Sequence, residues 1–182
     1  MDIVIVGGGF AGLSAAKALA PYSNQHKITL INRFPDMHFR PLLMDVLSGT
    51  MSERDLRAPI APRLKRWNVR FICEQAREID FEKKHVSLES GSPVPYDFCI
   101  VAAGSETNFY GNDMARQFGW KMDNVIDVQK FVDSFSRSVH DAYVVAGGGY
   151  TGIEAATHLR KGLKKRGENR PIHIIERGER IL

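Results

Sequence analysis

The sequence predicts an α/β protein made of two Rossmann-like, three-layer nucleotide-binding units, the second of them truncated. Three observations carry this. The stretch GGGFAGLSAA (Gly7 to Ala16) returns as GGGYTGIEAA (Gly147 to Ala156). Each copy follows a short apolar, β-branched run and opens a stretch rich in alanine, the order strand, turn, helix. Each is followed by another apolar run after about 20 residues, the spacing of a dinucleotide-binding unit.

Asp2 to Val6 reads as a strand buried on both faces. Ala11 to Ala20 reads as a helix ended by Pro21, and Ile28 to Ile31 as a second strand. A proline-bearing loop then leads into an amphipathic stretch that stops at Gly49. Ser52 is placed to cap a helix that is broken at Pro59 and Pro62 and finishes near Trp67. From Val69 the pattern changes to strands, VRFICE, HVSLES and DFCIVAAG, with Gly91 to Pro93 as a turn. This 69–102 segment is expected to add antiparallel strands to the first domain. Asp113 to Asp123 is a mixed loop or short helix, and Val128 to Val139 a helix. AYVVAGGGYTGIEAATHLRKGL and PIHIIER then repeat strand, glycine turn, helix and strand. The domain reading is therefore 1–110 for the first nucleotide-binding domain, 111–140 for a connecting segment, and 141–182 for the start of a second domain.

Composition excludes several classes. At 182 residues, with 43% hydrophobic and 25% charged, the chain is an ordinary globular one. Its net charge of +4 is too small an excess to point to nucleic acid, and no basic cluster alternates with aromatics. Cys73 and Cys99 stand far apart without C-x-x-C spacing and are expected to be inert core thiols, as suits a reducing cytoplasm. The six histidines show no metal-ligand spacing, so no metal is assigned. The start has no basic region before an apolar one, which argues against a signal peptide, and no apolar run reaches membrane-spanning length. The basic runs at Arg63 to Trp67 and Arg160 to Arg166 read as solvated helix faces.

Each glycine of the repeated G-x-G-x-x-G has a task. Gly7 and Gly147 turn the chain out of a strand; Gly9 and Gly149 let a pyrophosphate approach the backbone; Gly12 and Gly152 let the helix pack close. Helix N–H groups then face the phosphates. At the end of the second strand, Glu176 can accept hydrogen bonds from both ribose hydroxyls and would repel a 2′-phosphate, which favours NAD over NADP; Arg177 weakens that preference. The first unit has Asn32 there, which can bond a ribose hydroxyl through its amide oxygen without charge assistance. Phe10 and Tyr150 follow the middle glycines and either cover a cofactor or pack on the sheet, with packing the preferred reading for Phe10. Ala11, Thr151 and Arg33, neighbours of these positions, complete this candidate set.

DIVIVGGGFAGLSAAKAL, FRPLLMDVLSGTMSERDLRAPI, YDFCIVAAGSETNFYG and YVVAGGGYTGIEAATHL together resemble the two-dinucleotide flavoprotein reductases of the pyridine nucleotide-disulfide oxidoreductase superfamily. Within these the sequence is most similar to type II NADH dehydrogenases, which are NADH:quinone oxidoreductases. The resemblance implies FAD at the first turn, NADH at the second, and a quinone as acceptor. It implies that Arg40, Pro41 and Leu42 line the flavin, that Ala76 lies beside the adenine, and that Ala103 and Gly104 close the FAD site, with Ala in place of the usual Thr. Glu154 matches an acid near nicotinamide and flavin; it also suits a carboxylate stabilised by a helix N-terminus. The redox-active cysteine pair of the disulfide reductases has no counterpart, so the flavin is expected to be the sole redox centre. The other readings are an NADH-dependent reductase of a different acceptor and a non-catalytic nucleotide-binding module. In the family the chain continues beyond the position of Leu182 with a flavin-gripping and membrane-contacting region. The sequence is accordingly read as an N-terminal fragment, inactive alone, cytoplasmic with peripheral membrane contact in the full-length protein, and prone to form a homodimer or larger assembly through unfinished sheet edges.

Overall fold

The computed structural model describes residues 1–137 and 140–181. In chain order the elements are β1 (Asp2–Val6), α1 (Phe10–Leu19), β2 (Lys27–Asn32), β3 (Asp36–His38), α2 (Leu43–Leu47), β4 (Arg57–Pro59), α3 (Ala61–Arg66), β5 (Arg70–Cys73), β6 (Ala76–Asp80), β7 (His85–Leu88), β8 (Pro93–Pro95) and β9 (Phe98–Val101). They continue with α4 (Asp113–Phe118), α5 (Val125–Arg137), β10 (Tyr143–Ala146), α6 (Tyr150–Lys165) and β11 (Ile172–Ile175). Two compact units result. The first holds residues 1–38 and 57–105, the second residues 39–56 and 106–182.

The first unit is a three-layer sandwich whose central sheet has the order β5-β2-β1-β9, every pair parallel. Alternation along β1 builds both layers of core. Ile3 and Ile5 face a cluster with Leu13 and Ala16 of α1 and Leu64 of α3. Val4 and Val6 face the other way, onto Val86, Leu88 and Tyr96 of an antiparallel layer formed by β6, β7 and β8. Ile28 and Leu30 join the helix side, and Ile31 the other. This two-sided burial explains why β1 and β2 read as unbroken apolar runs.

The second unit pairs β10 and β11 in parallel. Phe135 of α5 and Leu159 and Leu163 of α6 form one cluster with Tyr143 of β10. α2 packs its Leu43, Met44 and Leu47 with Val125 and Val128 of α5. Gly162 lets α6 approach α2 closely, since a Cβ there would stand 2.6 Å from the Leu47 carbonyl oxygen.

Several expectations need correction. Ser52 caps no helix: its N–H donates to Asp55 Oδ2 at 2.9 Å within a turn. The residues after it form β4, which pairs antiparallel with β3 inside the stretch read as a loop. Pro59, with no N–H to donate, ends that strand, and the helix that remains is α3, with Pro62 in its first turn. Only β6 to β8 of the 69–102 segment are antiparallel; β5 and β9 flank the parallel sheet. Phe10, not Ala11, begins α1. α5 starts at Val125, earlier than expected, because Asn124 caps it; the expected end at Val139 lies outside the described residues. Cys73 is exposed rather than buried, standing at the C-terminal end of β5, and Cys99 is half-buried.

Crowding at the third glycine of the turn gives a test. A Cβ on Gly12 would lie 1.8 Å from the Gly7 carbonyl oxygen, whereas one on Gly9 would meet nothing within 4 Å. Gly12→Ala is expected to destabilise by roughly 1–3 kcal/mol or more. Gly9→Ala should stay within about 0.5 kcal/mol of the parent. Denaturant unfolding reads both; equal effects would contradict this packing.

Candidate nucleotide-binding site

The two glycine turns are built to one plan. Gly7 leaves β1 at φ +111° and donates its N–H to the Ile31 carbonyl at 2.8 Å; Gly147 leaves β10 at φ +112° and donates to the Ile175 carbonyl at 2.8 Å. Such a φ is open to glycine and strained for other residues. Gly12 and Gly152 then seat their helices against the turn, a Cβ at either being 1.8 or 1.9 Å from the carbonyl oxygen of Gly7 or Gly147. Leu13 and Ile153 bond back to the carbonyls of Gly9 and Gly149, each at 3.0 Å.

The middle glycines differ in kind. Gly9 (φ −80°) and Gly149 (φ −75°) have ordinary extended backbones, and open space where a Cβ would stand. Nothing in the fold requires glycine at either position. Both are N-cap residues that provide no side-chain bond, and neither helix has an acid in its first turn. α4 and α5 are capped, Asn112 accepting the Ala115 N–H at 2.9 Å and Asn124 those of Ile126 and Asp127 at 2.9 and 3.1 Å, whereas the short helices α2 and α3 carry no side-chain cap. α1 and α6 thus present uncapped, positive ends beside an open surface, the arrangement that suits a phosphate.

The polar residue after each second strand is tied to its turn. Gly8 N–H donates to Asn32 Oδ1 at 2.9 Å, and Gly148 N–H to Glu176 Oε2 at 2.6 Å. The Asn32 amide oxygen, expected to serve a ribose, therefore already holds the turn. The Glu176 carboxyl is kept below its ordinary range by hydrogen bonds from the N–H groups of Gly178, Gly148 and Arg177, so it is ionised at neutral pH. In the first unit the same edge of the sheet gathers Arg33, whose guanidinium lies 4.6 Å over the Phe34 ring, with Ala103 and Gly104 just past β9. Ala103 comes close enough that a Cβ on Gly7 would stand 3.0 Å from its Cα, and Ala11 sits in the first turn of α1. Ala76 opens β6 opposite Leu88. Phe10 is 50% exposed and Tyr150 82% exposed. Thr151 lies in the first turn of α6 and Glu154 in the second, both exposed.

Arg40, Pro41 and Leu42 belong to the second unit, in a short 3-10 turn ahead of α2. Arg40 lies 3.8 Å from Asp123. Sequence reading missed Asp123, which is 8% exposed and accepts bonds from Thr107 N–H at 3.0 Å and Thr107 Oγ1 at 2.6 Å. Lys121 Nζ lies 3.4 Å away. No local motif marks this carboxylate, because its partners come from separate segments. A cleft of about 750 Å³ lined by Lys27, Lys65 and Arg70 opens at the opposite, N-terminal edge of the parallel sheet and takes no part in the site. Among the described residues no group of His, Cys, Asp and Glu could hold a metal, and no helix is long and apolar enough to cross a membrane.

A model of the pyridine nucleotide-disulphide oxidoreductase family matches residues 1–182. The chain is 33% identical over 175 residues to type II NADH:quinone oxidoreductase NdhA of Mycobacterium tuberculosis, covering 86% of this chain and 37% of that one. It is similar to the solved NADH:rubredoxin oxidoreductase of Clostridium acetobutylicum, with TM-score 0.72, 29% identity, and coverage of 96% and 44%. NDH2 of Plasmodium falciparum, solved with NADH, shares the fold at TM-score 0.80 and 20% identity, over 100% of this chain and 42% of that one. The chain therefore spans less than half the length of these proteins.

Asp123 gives the second unit an acid-sensitive contact. Burial raises its pKa, but bonds from the Thr107 hydroxyl and N–H, and then the Lys121 charge, outweigh that and hold it below the usual range. A depressed folded pKa contributes stability that is present above the unfolded value, about 3.9, and is lost as pH falls through the folded one. Asp123→Ala leaves the Thr107 N–H without this acceptor and should cost roughly 1–3 kcal/mol at pH 7. The deficit should shrink below about pH 4. Thermal melts at pH 7 and pH 3 check this; a deficit that does not change with pH would contradict it.

Proposed function

Because the chain belongs to the pyridine nucleotide-disulphide oxidoreductase family, we propose that it binds FAD at the Gly7 turn and NADH at the Gly147 turn, and serves electron transfer from NADH through flavin to a quinone. The observation that supports this best is the pair Gly9 and Gly149: glycines that the fold itself does not require, each at an uncapped helix end. A backbone left bare in this way lets a pyrophosphate reach the N–H groups. When bound, the flavin supplies the redox chemistry, and the protein aligns and shields it.

Roles follow for the chain's own residues. The first-turn N–H groups of α1 and α6 hold phosphates. Glu176 accepts the ribose hydroxyls of NADH and repels a 2′-phosphate, which sets the preference for NADH. Asn32 offers the FAD ribose no charge, so FAD is held less tightly than an acid would hold it. Tyr150 and Glu154, four residues apart on α6, share a helix face; Glu154 is assigned to the nicotinamide end. Ala76, Ala103 and Gly104 are assigned to FAD, with 1–110 as the FAD domain, 111–140 as a connection and 141–182 as part of the NAD domain.

Quinone is preferred as acceptor on the likeness to NdhA, named as a type II NADH:quinone oxidoreductase. A cytoplasmic protein in peripheral contact with a membrane suits that acceptor. The likeness to an NADH:rubredoxin oxidoreductase supports a second reading, with a protein as acceptor. Self-association is part of the proposal, supported by the exposed Phe98 and Val101 on the edge strand β9.

Valine at the middle glycines tests the assignment, since its side chain suits their extended backbones and fills only open space. Gly149→Val should weaken NADH at least tenfold, about 1.4 kcal/mol, and leave FAD binding unchanged. Gly9→Val should do the reverse. Fluorescence titration reads both, and steady-state NADH oxidation by the full-length protein, with a soluble quinone or a small redox protein as oxidant, separates the acceptors. Variants that bind both nucleotides like the parent would overturn the proposal.

A further inference from the structure

The two turns carry different residues after their second strands, and the backbone shows why. Asn32 Oδ1 faces a donor, the Gly8 N–H at 2.9 Å, while its Nδ2 donates to the Phe34 carbonyl at 2.7 Å. With a donor at one end and an acceptor at the other, the amide has one satisfied orientation. Glu176 faces two donors: Gly148 N–H bonds Oε2 at 2.6 Å, and Gly178 N–H bonds Oε1 at 2.9 Å. Two positions beyond the strand-end residue, the first unit presents a carbonyl oxygen and the second an N–H. A carboxylate at position 32 would set an unprotonated oxygen against the Phe34 carbonyl.

We propose that this inverted backbone polarity makes the Gly7 turn accept an adenosine ribose carrying a 2′-phosphate, while the Gly147 turn rejects one. The inference rests on reading the Gly7 turn as a nucleotide site. Rejection of a 2′-phosphate needs a negative charge beside the ribose, and Asn32 supplies none. Arg33 follows it directly, with its guanidinium over the Phe34 ring, at a place where an arginine accommodates such a phosphate. Arg177 follows Glu176 in the same way, so the difference between the turns lies in the amide and the carboxylate. The Gly8 bond keeps the Asn32 amide at the turn, and the Phe34 carbonyl keeps it an amide.

The test compares 5′-AMP with 2′,5′-ADP, which differ only by the 2′-phosphate, following the backbone amide signals of Gly8 and Gly148 by NMR in the full chain. At Gly8, 2′,5′-ADP should bind at least as tightly as 5′-AMP; at Gly148 it should bind at least tenfold more weakly. Asn32→Asp should reduce 2′,5′-ADP binding at Gly8 by tenfold or more and leave Gly148 unchanged. If that variant does not fold, Arg33→Gln replaces it, and should weaken 2′,5′-ADP at Gly8 without affecting 5′-AMP. Tenfold weaker 2′,5′-ADP than 5′-AMP at Gly8 in the parent would overturn the inference alone. A Gly8 signal that responds to neither compound would overturn the nucleotide reading, and the inference with it.

Discussion

The contact between Gly12 and the carbonyl of Gly7 sets the geometry on which the first unit depends. With less than 2 Å between that oxygen and the place a Cβ would occupy, α1 lies directly on the turn that starts it. The turn must then leave β1 with positive φ at Gly7, and the first N–H groups of the helix emerge at the C-terminal edge of the sheet. The same contact at Gly152 and Gly147, equal to within 0.1 Å, imposes the same result on β10 and α6. Helix packing thus requires glycine at the turn and at the third position of each motif, while the middle glycines, Gly9 and Gly149, stand in open space.

The copies diverge around this shared centre. In the first, β9 runs beside β1, and a Cβ on Gly7 would meet the Ala102 carbonyl at 2.1 Å; at Gly147 the corresponding space is open. The first turn is therefore walled on both sides by strands and the second on one, among the described residues. The strand-end side chains diverge as well, an amide in one and a carboxylate in the other, each matched to the backbone group that follows it. The glycine turns themselves match, and the strand-end side chains tied to them differ.

How much of this could be read in the sequence depended on whether the determinants were local. The glycine turns, the strands before and after them, and the helices α1 and α6 follow from spacing and apolar runs within a few residues. β3 and β4 escaped because a three-residue pair separated by about twenty residues, with proline in one member, has no periodic signal. β6 and β8 escaped because their burial is half on one face and their prolines and charges read as loop. The exposure of Cys73 was hidden because a strand's composition does not show which end reaches solvent. At the site, the glycines and Glu176 were legible as a motif. Asp123 was not, since its hydrogen bonds come from Thr107 and an ion pair from Arg40, both distant in sequence. The second bond of Asn32 depends on a carbonyl, which no residue type announces.

On the proposed function, each glycine turn holds its own nucleotide. Equilibrium dialysis of the protein with FAD and NADH, singly and together, tests it most directly. Two independent turns predict one FAD and one NADH per chain, with neither displacing the other at saturation. Mutual displacement, or a single nucleotide bound per chain, would contradict it.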